Sequence, residues 1–215
     1  MSTERHLGHA ALDALGAVPL FLRTPLHRRQ HLRWGATDAE VAGRMPGDEL
    51  VTGASFDATR AITVEAPPEA VWPWIVQMGY RRAGFYTYAL LDNAGYESAD
   101  VVLEEYQHPQ IGDWMPMAGK VSETTAFRFA AFETGRWLLW SKPDSTWSWT
   151  LSTLPGDRTR LVTRLKQRYP WESPGMAVFT LLLLEFGDFA MMRRMLPGIK
   201  VRAERSVRGG AAAVP

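Results

Sequence analysis

The sequence predicts an α+β fold: a strand, two short helices, an antiparallel sheet and one long C-terminal helix. Three observations predict it. A strand runs directly into a short amphipathic helix over residues 61–78, alternating strands fill residues 114–169, and an apolar stripe marks the segment after Ser173.

Composition sets the bounds. A chain of 215 residues accommodates one domain plus an extension. A net charge of +1 argues against a dedicated nucleic-acid binder, which needs a dense basic surface. The absence of cysteine excludes disulfides, thiolate catalysis and Cys-based zinc sites. Nine tryptophans are enough to fill a core or to wall an apolar cavity. Asp13, Gly16 and Pro19 interrupt the apolar run at 10–22, and the run at 175–184 is shorter than a bilayer span. The expected location is cytoplasmic.

Residues 1–57 read as a helical extension and linker. Leu7, Ala11, Leu15 and Val18 recur at helical spacing, and Gly16 and Pro19 discourage continuation. Between Ala14 and Thr37 lie Arg23, Arg28, Arg29 and Arg33 with no acid. That run fits either a solvated helix face, the favoured reading, or a patch for an anionic membrane or an acidic partner. Thr37 and Glu40 have the spacing of a capping box.

The main domain is placed at 58–205. Ile62 and Val64 alternate with Thr63 and Glu65 as in a half-buried strand, and Pro67 and Pro68 end it and open a helix. Val71, Trp72, Trp74, Ile75 and Met78 follow at helical spacing, with Pro73 keeping that helix short or kinked and Gly79 as its cap. A second short helix is expected before Gly95, with Tyr86, Leu90 and Asn93 on one face. Residues 97–113 read as a polar loop. Strands follow at 114–117, 127–132, 137–140, 147–152 and 161–166, aromatic and aliphatic on one face and polar and basic on the other. A final helix runs from Ser173 to about Arg205, with Pro197 and Gly198 as a kink and Lys200 and Glu204 as a pair. Residues 206–215 read as a disordered tail.

The Pro-Pro-Glu-Ala-Val-Trp entry at 67–72, followed by two helices, antiparallel strands and a long terminal helix, resembles the START-like superfamily. Gly84-Phe-Tyr-Thr-Tyr88 and Arg193-Arg-Met-Leu-Pro-Gly-Ile-Lys200 are similar to an uncharacterised bacterial branch of it. This superfamily includes polyketide cyclases and lipid-transfer proteins. The resemblance implies the helix-grip fold and an elongated apolar cavity between the sheet and the last helix.

Under that resemblance, Val178, Leu181, Leu182, Glu185, Phe189, Met192 and Leu196 share one face of the final helix. Glu185 in that stripe needs a cation, such as an inward Arg128 or Arg164, or a raised pKa that suits general acid catalysis. Tyr86 and Asp92 are the other candidate catalytic groups. Trp74, Tyr88, Asn93, Glu105, His108, Arg128, Trp147, Trp149, Leu182, Phe189 and Met192 are the candidate ligand contacts. No phosphate loop, nucleophile elbow or metal-ligand spacing is found, so neither metal nor cofactor is expected. The leading reading is a binder of a hydrophobic small molecule: a lipid, a polyketide-like compound or a terpenoid. The second is a cofactor-independent cyclase, dehydratase or isomerase acting in the same cavity. Contact with a membrane through the basic segment is the weakest reading, and assembly is left open between monomer and homodimer.

Overall fold

The computed structural model describes residues 15–16, 18–20 and 22–211. Leu7 and Ala11 of the expected N-terminal repeat lie outside the described residues. Six strands form one antiparallel sheet in the order β1-β6-β5-β4-β3-β2. They are β1 Phe56–Val64, β2 Trp114–Pro116, β3 Ala126–Glu133, β4 Trp137–Lys142, β5 Ser145–Leu154 and β6 Arg158–Gln167. The helices are α1 Arg28–His31, α2 Asp38–Ala42, α3 Pro68–Val76, α4 Ala89–Asp92, α5 Pro174–Leu182 and α6 Phe189–Ala211. A π-turn, Leu183–Asp188, joins α5 to α6.

Alternation along the strands puts the large rings on the concave face. Trp140 pairs with Trp147 across β4 and β5, and Phe129 pairs with Trp140 across β3 and β4. Trp147 and Trp149 meet at 5.3 Å with their rings tilted by 36°, and Trp140 meets Trp147 edge-on at 5.5 Å. Each such ring contributes about 2–3 kcal/mol on burial. The inner half of α6 lies against α3 and β1, closing the core with Met192, Met195, Leu196 and Ile199. Lys200 and Glu204 form the expected pair at 2.6 Å, and Glu204 also accepts from the Glu65 amide, tying α6 to the end of β1.

On the convex face residues 32–48 bond to the sheet. The Thr59 and Ala61 amides donate to the Leu32 and Trp34 carbonyls along the free edge of β1. Thr37 and Glu40 form the capping box of α2, and the same Glu40 pairs with Arg160 at 2.6 Å. Arg164, buried, donates to Asp48, to Thr59 and to the carbonyls of Glu40, Val41 and Gly43.

Three expectations change. α4 spans four residues, so Tyr86 precedes it and shares no helical face with Leu90 and Asn93. The reason is backbone geometry: Arg81, Gly84 and Tyr86 all have positive φ, which no helix accommodates. Pro19 sits within helical backbone at 18–20. Finally, α6 continues through residues 206–211, which were read as tail.

Candidate functional site

Helix α3 ends at Val76, and Gln77 to Gly84 form a tight loop closed by reciprocal amide–carbonyl bonds between Gly79 and Gly84. Gly79 has φ 143°, and a Cβ there would lie 2.9 Å from the Arg82 side chain, so the glycine leaves room for that arginine to fold back. Arg82 donates to the Val76 and Trp114 carbonyls at 3.1 Å each, and its guanidinium lies 4.4 Å from the Tyr106 ring. Burial lowers its pKa from the usual guanidinium value. Among the described residues it has no ion pair to a carboxylate, and its buried Nε has no acceptor.

This arginine lines a surface pocket of about 280 Å³, together with Glu105, Tyr106, His108, Asp113 and Trp114. Its neighbour Phe129 leads inward: the Arg82 guanidinium is 5.7 Å from that ring, and Phe129 meets Trp140 edge-on at 5.6 Å. Beyond it the indole N–H groups of Trp74, Trp140 and Trp149 are buried without acceptors, whereas Trp147 donates to Thr163 at 2.9 Å. A second pocket, of about 750 Å³, opens at the far end between α3 and the β3–β4 turn. Its cation, Arg136, is exposed and already paired with Glu133, and it holds none of the predicted site residues. Neither pocket lies between the sheet and α6, where side chains fill the interior.

The predicted catalytic groups are dispersed. Glu185 accepts from Arg28 Nε at 2.9 Å and from the Tyr169 hydroxyl at 3.1 Å. Its partner is therefore Arg28 from the basic segment and not Arg128 or Arg164, because the π-turn directs it toward α1. Arg128 pairs instead with Glu123 and lies over the Trp114 ring at 3.5 Å. Beside Glu185, Asp188 forms a buried pair with Arg60 at 2.6 Å. His31 is fully buried between Phe56 and Phe189, and desolvation with the nearby Arg60 charge lowers its pKa to about 4. Tyr86 accepts from Gln77 and donates to the Trp74 carbonyl, with burial raising its pKa. Asp92 accepts from Thr87, and burial raises its pKa to about 6.

The predicted ligand contacts divide in three. Glu105 and His108 come together at the Arg82 pocket, although His108 pairs with Glu104 at 3.2 Å and not with Glu105. Trp74, Trp147, Trp149 and Met192 lie in the main core, and Tyr88 packs with Ala190. Asn93 shapes a turn by accepting from the Arg81 amide, Phe189 packs on His31, and Leu182 is exposed. The residue that sequence reading missed is Arg82. Its local signal was a pair of arginines between Gly79 and Gly84, but its partners are distant in sequence.

No family model matches the chain, and no curated protein matches it. Solved structures do. A Polyketide_cyc-like protein from Corynebacterium glutamicum is 16% identical, with 73% of this chain and 94% of that chain covered at a TM-score of 0.39. CalU16 from Micromonospora echinospora is 17% identical, with 69% and 84% covered at 0.33. DynU16, from the dynemicin biosynthetic locus, is 16% identical, with 72% and 48% covered at 0.38. Similarity at this level says nothing of what this chain binds. The chain's own strand order, its helices after β1 and its terminal helix laid on the concave face give it the helix-grip fold, the arrangement shared by START-like proteins.

Proposed function

We propose that this protein binds a small amphipathic molecule whose carboxylate or enolate oxygen meets Arg82 and whose apolar body lies against Tyr106 and Trp114. The observation that carries this reading is an arginine that lines an open pocket with a buried, unpaired Nε and no carboxylate partner among the described residues. A ligand oxygen would meet the partly exposed guanidinium in a charge-assisted hydrogen bond.

A second reading, cofactor-independent isomerisation or cyclisation, rests on the same pocket. His108, Glu105 and Tyr106 stand beside a cation able to steady an enolate.

Titration with 2-naphthoate and with 2-naphthamide tests the binding reading. The carboxylate is expected to bind about tenfold more tightly than the amide, and Arg82→Met to erase the difference. Equal affinity for both probes in the native protein would refute it.

A further inference from the structure

We infer that α5 and the N-terminal segment beside it form a docking surface for an anionic lipid bilayer. Helix α5 contains no charged residue, yet its buried residue is Ala177 alone. A helix that is apolar all round belongs in a core or in lipid. This one is not in the core. Met176, Val178, Phe179, Leu182 and Leu183 face solvent, with Phe179 61% exposed. The most apolar 18-residue window of the helix at 174–209 is 22% buried.

Neighbouring elements extend the patch and give it charge. The 3₁₀ turn Thr24–His27 packs against the π-turn Leu183–Asp188, and its Leu26 is 78% exposed. Trp171, 59% exposed, stands just before α5, in keeping with the preference of indole for the lipid–water boundary. Arg28 is neutralised by Glu185 and Arg33 by Asp38. Arg23 and Arg29 are exposed and have no acidic partner among the described residues. The exposed acid at the edge is Glu172.

Charge selects the occupant. Two copies joined through this face would bring Arg23 and Arg29 of one toward those of the other, a repulsive arrangement. Anionic headgroups answer the same arginines while the apolar side chains enter the acyl boundary. Helix α5 lies on the bilayer and does not cross it, because Glu185 and Asp188, in the π-turn just after it, are held inside the domain by Arg28, Tyr169 and Arg60.

The test is co-sedimentation of the full chain with phosphatidylcholine vesicles, with and without phosphatidylserine. Binding is expected to the phosphatidylserine-containing vesicles and to weaken with added salt. Phe179→Glu is expected to weaken it at least about tenfold, and Arg29→Ala about fivefold, both with the wild-type melting curve. The inference is overturned by no sedimentation with the anionic vesicles, by equal binding to neutral ones, or by unchanged binding of Phe179→Glu. It is also overturned by a dimer that Phe179→Glu dissociates in a protein that ignores vesicles, which would give the face to a second copy.

Discussion

Arg164 and Arg82 are both held against this sheet by backbone carbonyls, and they differ in what answers their charge. Arg164, on the convex face, has Asp48 at 2.6 Å and acceptors for its other donors from residues 40–43 and Thr59. Arg82, at the mouth beside β2, has two carbonyls, an aromatic ring and an unpaired Nε. A saturated buried cation is a structural bolt. An unsaturated one in an open pocket is a place for something else to bind.

The largest effect should come from breaking the saturated side. Arg164→Ala leaves Asp48 and several carbonyls without their partner and is expected to cost about 3–5 kcal/mol in urea denaturation. Arg82→Met should cost less than about 2 kcal/mol while abolishing the naphthoate preference. If the two arginines proved equally structural, the contrast between the faces would fail.

Gly198→Ala probes how closely the mouth loop is held to α6. An added Cβ would lie 2.8 Å from the Tyr86 backbone oxygen, so a loss of about 1–3 kcal/mol is expected, read as a lowered Tm.

Acid titration separates two buried groups. His31 has a folded-state pKa depressed from 6.5 to about 4, so its stability contribution is present above pH 6.5 and lost as pH falls toward 4. The loss is about 3 kcal/mol, and His31→Phe, which keeps the ring packing, should flatten it. Asp92 runs the other way. Its pKa is raised from 3.8 to about 6, so the contribution of its protonated form is lost as pH rises through 6. Asp92→Asn should therefore stabilise the protein above pH 6 by about 1 kcal/mol. Because the two offset each other in the native chain, urea midpoints of the single variants across pH 4–7 are the measurement. The smallest effect belongs to His108→Ala on the exposed rim, at less than about 0.5 kcal/mol in stability.

Much of the fold was legible because it is periodic. Trp147, Trp149 and Leu151 alternate with Ser148 and Thr150, and that alternation alone assigns faces to β5. The capping box at Thr37 and Glu40 and the Lys200–Glu204 pair are equally local. The site was less legible. Glu105 and His108 were named and do line the Arg82 pocket, but Arg82 was not, since Tyr106, Trp114 and Phe129 reach it only through the folded loop. Glu185 pairs with Arg28 from the acid-free run at 14–37, and nothing in the local sequence of either segment joins them.

The sequence by itself determined the α+β class, the order of strands and helices and the aromatic face of the sheet, because these follow from spacing between near neighbours. The tertiary structure alone decided that the N-terminal segment sheathes the convex face, that the tryptophans fill the interior, that Arg82 is left unpaired and that α5 stands exposed. Those outcomes depend on which distant side chains arrive at the same place, and hydrogen bonding, ion pairing and burial are settled only on arrival.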